Sequence, residues 1–137
     1  MNMSVSVVRY IALLALSQFL LVAASASDSD LAGEYESKGT SPGGGTYTAE
    51  ATITKRSDVY DVEWIVSNGE KYSGIGILVD GKLAVGYRRQ SPDDPTFRED
   101  GVIVYRIDNS GDALKLEGTF AQRWFSSPET ETLTKKP

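Results

Sequence analysis

The sequence contains no cysteine and no histidine. Without cysteine, the chain can form no disulfide and offers no site for a lipoprotein anchor, so packing and hydrogen bonds alone must stabilise an exported form. Without histidine, it lacks Ser–His and Cys–His nucleophilic pairs, imidazole acid–base catalysis and most kinds of zinc site. These absences predict a protein that is not an enzyme and that uses no cofactor and no metal ion.

Long apolar runs are absent apart from one near the amino terminus, at 10–24, which follows the basic Arg9. The run leads into Ala24-Ser25-Ala26, the small-x-small pattern that a signal peptidase accepts. An uncleaved membrane anchor is the alternative, but a spanning helix needs about 20 apolar residues and this run is shorter and interrupted by polar residues. We therefore predict a signal peptide at 1–26 and a single mature domain at 27–137. The protein would be exported to the periplasm or the extracellular space, without membrane insertion of the mature chain.

Basic charge is scarce. The chain carries 14 Lys and Arg against 19 Asp and Glu, a net charge of −5, and removal of Arg9 with the signal peptide would leave 13 against 19, a net charge of −6. Phosphate binding needs a stripe of basic residues, and none is visible, so nucleic acid is excluded as a partner. An anionic membrane surface is disfavoured for the same reason.

Amphipathic helical windows are absent from the mature chain, where the recurring pattern is the alternation typical of half-buried strands. In the segment TYTAEATITK, for example, Tyr47, Ala49, Ala51 and Ile53 share one face. Sequential hairpins with one apolar face predict an all-β fold, a small antiparallel up-and-down barrel of about eight strands. A β-sandwich with a similar number of strands is the alternative.

Turn chemistry predicts the register of the central hairpins. A two-residue turn at Asn68-Gly69 would pair Val62 with Ile75, and a three-residue loop at 79–81 would pair Ile75 with Val85. All the large side chains would then share one face. The opposite face would carry the small residues Gly74, Gly76, Ala84 and Gly86.

A third hairpin follows a long irregular stretch at 88–100. A three-residue loop at 109–111 would pair Val104 with Leu116 and Arg106 with Leu114. The irregular stretch holds Asp93, Asp94, Glu99 and Asp100 among arginines, without the spacing of an EF-hand. We interpret it as a solvated charged loop, with a Ca²⁺ site as the alternative.

Several segments together resemble a family of small exported bacterial proteins. They are LAGEY (31–35), GTSP (39–42), the run from Tyr47 to Ile53, GIGI (74–77), LAVGY (83–87), GVIVY (101–105) and ETLT (131–134). The resemblance covers nearly all of the mature chain and consists of turns and core residues. It implies a small β-barrel and, because some members are labelled fibronectin-binding, a binding function without catalytic residues. The strand plan is also similar to avidin- and calycin-type barrels.

Two groups of residues are candidate binding sites. Tyr60, Trp64 and Tyr87 are predicted to point into the barrel, where they would line a ligand cavity or simply fill the core. Arg123-Trp124-Phe125 lies in the last connection, where it would anchor a protein partner or close the end of the barrel.

The sequence therefore predicts an exported, non-enzymatic binding protein whose partner is another protein, engaged through loops and the outer barrel surface. One alternative is a carrier that holds a small apolar ligand inside the barrel. Another is a periplasmic inhibitor of a secreted hydrolase, which would insert the segment from Ser27 to Leu31 into an active site.

Overall fold

The computed structural model describes residues 31–96 and 98–137. The predicted signal peptide at 1–26 and the segment 27–30 of the inhibitor hypothesis lie outside the described residues. Eight strands follow one another along the chain: β1 (Gly33–Thr40), β2 (Thr46–Arg56), β3 (Val59–Val66), β4 (Lys71–Val79), β5 (Lys82–Arg89), β6 (Asp100–Asp108), β7 (Lys115–Gln122) and β8 (Glu129–Lys135).

Each strand pairs antiparallel with the next, and β8 pairs with β1, so the sheet closes into a barrel. The predicted up-and-down barrel is confirmed. The alternative of a β-sandwich is wrong, because the strands form one closed sheet. Side chains alternate between the interior and solvent, as the period of two requires. The interior cluster consists of buried apolar residues contributed by nearly every strand: Leu31, Tyr35, Ala51, Ile53, Tyr60, Val62, Trp64, Leu83, Val85, Ile103, Tyr105, Leu116, Phe120 and Leu133.

The β3–β4 hairpin differs from its prediction by one residue. The amide of Val66 donates to the carbonyl of Glu70 at 2.8 Å, so the loop has three residues, 67–69. Gly69 closes this loop with a left-handed backbone (φ 91°), as a three-residue hairpin loop requires. Val62 therefore pairs with Gly74 and not with Ile75.

The prediction for the β4–β5 hairpin is also wrong: a three-residue loop was expected, and the structure has a two-residue turn. Asp80 and Gly81 are both left-handed (φ 51° and 72°) and form a two-residue turn between the paired Val79 and Lys82. As a result Ile75 is 54% exposed on the outer wall.

Gly74 and Gly76 take the interior positions of β4, because neighbouring side chains already fill that space. A Cβ on Gly74 would lie 2.6 Å from Cγ1 of Val85 and 3.2 Å from Cζ3 of Trp64. A Cβ on Gly76 would lie 3.0 Å from Cγ2 of Val85. A narrow barrel cannot accommodate isoleucine there as well.

The β6–β7 register also differs from its prediction. Leu116 pairs with Ile107 and not with Val104, so the loop spans 109–114. Both the amide and the hydroxyl of Ser110 donate to Oδ1 of Asp108, at 3.0 and 2.6 Å. This side-chain turn begins a longer connection than the three-residue loop that was predicted.

The two ends of the barrel differ. At the end where β1 begins, Leu31 is buried and its carbonyl accepts a hydrogen bond from the Tyr35 hydroxyl at 2.7 Å. The opposite end carries four connections, at 41–45, 67–70, 90–99 and 123–128. The candidate site lies at that opposite end.

Candidate functional site

A cavity of about 270 Å³ opens between the four connections. Six aromatic side chains contribute to its wall: Tyr47, Trp64, Tyr72, Tyr87, Phe120 and Phe125. Three carboxyl groups also line it, those of Glu70, Glu99 and Glu131, whereas none of the lining residues in the described part of the chain is Lys or Arg. The cavity is therefore aromatic and acidic.

Glu131 is the most buried of the three acids of the site. It is only 4% exposed, and its carboxylate accepts three hydrogen bonds. Oε2 accepts from the Tyr47 hydroxyl at 2.5 Å, and Oε1 accepts from the Trp64 indole at 3.2 Å and from the Tyr105 hydroxyl. A buried acid in a barrel core needs such partners, because an unsatisfied buried charge is strongly unfavourable.

Two glycines allow the tyrosines to reach Glu131. Gly39 pairs with both Tyr47 and Glu131, and a Cβ on Gly39 would lie 2.5 Å from Cζ of Tyr47. On the other side, Gly118 pairs with both Tyr105 and Glu131, and its Cβ would lie 2.7 Å from Cε1 of Tyr105. Each tyrosine ring thus crosses over a glycine to place its hydroxyl on the acid.

The surroundings keep these phenols protonated. Burial, the negative charge of Glu131 and the hydrogen bond to it raise the pKa of Tyr47 and of Tyr105 well above the ordinary value. Burial likewise raises the pKa of Tyr72 and of Tyr87. All four side chains are therefore neutral hydrogen-bonding groups at physiological pH.

Tyr87 stands at the centre of the aromatic wall. Its ring makes edge-to-face contacts with Trp64, Tyr72 and Phe120, at centroid distances of 6.0, 6.1 and 6.4 Å. Its hydroxyl is buried and has no hydrogen-bond partner among the described residues. The ring of Tyr87 thus joins three other aromatic side chains, while its hydroxyl lies over Gly101.

Arg89 links two connections at the rim of the cavity. Its guanidinium donates to Oε2 of Glu99 at 2.8 Å and lies 3.3 Å from Oε1 of Glu70. Its backbone amide donates to the Glu99 carbonyl at 2.9 Å. These contacts join both ends of the 90–99 loop to the 67–70 turn.

The structure separates the three residues predicted to form a ligand cavity. Trp64 and Tyr87 line the cavity, as described above. Tyr60 is buried near the other end of the barrel, where its strand neighbour is Gly76, and it does not contribute to the cavity wall. The prediction that these residues bind a ligand stays a prediction.

Sequence reasoning missed Glu131, because a Thr- and Glu-rich last strand gives little apolar alternation. The one available signal is spacing: Glu131 and Leu133 are two residues apart, so a buried Leu133 places Glu131 on the interior face.

The segment Arg123-Trp124-Phe125 occupies the β7–β8 connection, as predicted, and its side chains diverge. Arg123 donates two hydrogen bonds to Asp100, at 2.5 and 2.8 Å. Trp124 is 67% exposed, and its indole donates to the carbonyl of Arg98 at 3.1 Å. Phe125 belongs to the cavity rim.

Three of the four acidic residues of the long loop accept hydrogen bonds from neighbouring side chains. Glu99 contacts Arg89, Asp100 contacts Arg123, and Asp94 accepts from Thr96. In the part of the chain that the structure describes, no three Asp or Glu side chains lie together so as to hold a metal ion. That part also contains no helix long and apolar enough to span a membrane.

Comparison with known proteins finds no match: no family model, curated protein or solved structure is significantly similar to this chain. The assignment of a function therefore depends on the geometry of the site.

Proposed function

We propose that this protein is a non-enzymatic binding protein that holds a small organic ligand in the open end of its barrel. The observation that carries the proposal is the cavity of about 270 Å³, whose aromatic wall ends on a buried, hydrogen-bonded acid. An apolar wall with a few fixed polar groups is the usual composition of a small-molecule site. The volume lies just below the range of about 300–1,000 Å³ that is typical of drug-sized ligands, so the ligand is small.

The strands of the barrel supply most of the groups that form this site. Trp64, Tyr87 and Glu131 all project from the interior of paired strands, and loops contribute mainly to the rim. A site held by strands is preorganised, so binding does not require the ordering of the groups that form it.

Tryptophan fluorescence tests the proposal. In a Trp124→Phe variant the described domain keeps only Trp64, which lies in the cavity wall. Small benzyl compounds of different charge should change this emission in a saturable way.

A bulky substitution separates cavity binding from surface effects. Ala49 lines the cavity, so Ala49→Phe should abolish the response, with Val66→Phe as a second cavity-filling variant. Ala84→Phe, on the outer wall, should leave it unchanged. A folded protein that gives no saturable response to any compound, or an unchanged response in the filled variants, would contradict the proposal.

A second candidate function is protein binding by the outer wall. Ile75 lies across Gly86 from Val102, and the next row places Ile77 across Ala84 from Val104. The four large side chains are exposed on neighbouring strands of one wall, and a group of exposed apolar side chains is typical of interaction surfaces.

Two variants distinguish protein binding by the outer wall from protein binding by the 123–125 segment. If the outer wall binds, Ile75→Lys should abolish retention of a protein partner and Trp124→Ala should preserve it. The reverse pattern would assign protein binding to the 123–125 segment, and retention by both variants would exclude both surfaces.

A further inference from the structure

We propose that the ligand of this cavity is an organic cation, a small apolar body that carries an ammonium group bound by Glu131. This inference rests on the proposed function and adds the chemical class of the ligand.

The charge of the cavity favours a cation. The lining contains three carboxyl groups and, within the described residues, no basic side chain. Glu70 and Glu99 are both in contact with Arg89 at the rim, so these two acids are neutralised in part. Glu131 differs, because the groups that donate to it are two phenols and one indole, all of them neutral. Its negative charge remains available to a cationic ligand, and an anionic ligand would be repelled.

The hydrogen-bond inventory of Glu131 leaves an acceptor position. An ionised carboxylate has about four acceptor sites, two on each oxygen. Oε1 accepts from Trp64 and Tyr105, whereas Oε2 accepts from Tyr47 alone. A ligand N–H directed at Oε2 would complete the set with a charge-assisted hydrogen bond.

The aromatic wall suits the same ligand. The faces of Trp and Tyr rings are electronegative and attract an ammonium group, most strongly where water is excluded. Trp64, Tyr87 and Tyr72 present such rings within one connected cluster. Phe120 and Ile103 offer apolar contacts for the body of the ligand.

Three probes of nearly equal size test the inference in the Trp124→Phe background: benzylamine, benzyl alcohol and benzoate at neutral pH. We expect benzylamine to bind at least about tenfold more tightly than benzyl alcohol, the margin typical of one charge-assisted contact, and benzoate to bind most weakly. If none of the three binds, the proposed function itself fails. If the alcohol or benzoate binds as tightly as the amine, the cavity binds ligands and the cation inference is overturned.

Variants at Glu131 assign the selectivity to this residue. Glu131→Gln keeps the shape and removes the charge, so benzylamine should lose at least about tenfold in affinity while benzyl alcohol changes little. Glu117→Gln makes the same chemical change on the outer wall, where Glu117 contacts Arg106, and should have no effect. Glu131→Asp retains the charge and should keep the preference for the amine, which guards against a loss caused by repacking. An unchanged amine preference in a folded Glu131→Gln protein would overturn the inference.

Discussion

The Tyr47 hydroxyl lies 2.5 Å from Oε2 of Glu131, although the two residues are on strands separated by β1. The ring of Tyr47 bridges that intervening strand by crossing over Gly39. Tyr105 reaches the same carboxylate from the opposite side by crossing over Gly118. One row across five strands therefore reads Tyr, Gly, Glu, Gly, Tyr, and two of the donors of a buried acid depend on the absence of two Cβ atoms.

Gly118→Ala is expected to destabilise the fold by about 1–3 kcal/mol, the range typical of overpacking a core. Its new Cβ would lie 2.7 Å from Tyr105 and 2.8 Å from Ile103, and both of those side chains are buried. Gly86→Ala is the matched control, because nothing lies within 4 Å of its Cβ position on the outer wall. Urea unfolding compares the two variants, and equal stabilities would contradict the steric role of Gly118.

Gly39→Ala is expected to displace Tyr47 from Glu131. Its Cβ would meet the outer part of the Tyr47 ring, which is half-buried at the cavity and can move away. Tyr47 would then leave Glu131. Loss of the Tyr47–Glu131 contact in a crystal structure of the variant is the expected result, together with a loss of stability of about 1.5–3 kcal/mol, because a hydrogen bond to a charged acceptor is removed.

Removal of single phenol hydroxyls should give an ordered series of stabilities. Tyr105→Phe removes a hydrogen bond to a charged acceptor and should cost about 1.5–3 kcal/mol, whereas Tyr35→Phe removes a bond to the Leu31 carbonyl and should cost about 0.5–1.5 kcal/mol. Tyr87→Phe removes a buried hydroxyl without a partner among the described residues, so it should be neutral or slightly stabilising. Urea midpoints at neutral pH measure the order, and a Tyr87→Phe protein less stable than Tyr105→Phe would refute this account.

Alkaline pH should destabilise the protein before its phenols ionise in the folded state. Burial raises the pKa of Tyr35 to about 12, whereas an unfolded tyrosine titrates near 10. Below about pH 10 the Tyr35 hydroxyl is protonated in both the folded and the unfolded state, so its full contribution to the free energy of unfolding is present. Between about pH 10 and 12 the unfolded chain releases protons that the folded chain retains, so the free energy of unfolding falls as the pH rises. Denaturant midpoints across that interval, with phenolate absorbance recorded in parallel, test the order of events: early phenolate formation in folded protein would contradict it.

Arg89→Met should loosen the rim of the cavity. Arg89 is partly buried and joins Glu99 to Glu70, so its loss leaves two neighbouring acids to repel one another. We expect faster amide hydrogen exchange across 90–99. Arg123→Met, which breaks a more exposed pair with Asp100, should have a smaller effect there. Unchanged exchange in Arg89→Met would show that the loop is held by its backbone contacts alone.

Alternation along the chain was enough to predict the fold class, the number of strands and the inward faces of β2 and β3. Residues such as Ile53 and Val62 are buried as expected, because a strand with one polar face has only one way to orient itself toward a core. The position of Trp64 and Tyr87 on the interior follows from the same rule.

Tertiary structure decided the register of β4 and the groups that surround Glu131. Either Gly74 or Ile75 could face the interior. Val85 and Trp64 on the neighbouring strands fill the space there, so only glycine fits. Local turn preferences carry no information about those volumes. Its spacing from Leu133 places Glu131 on the interior face, but the sequence does not show which groups would satisfy a buried carboxylate there. Closure of the barrel brings Trp64, Tyr47 and Tyr105 around it from distant segments, and these donors offset the cost of burying the carboxylate.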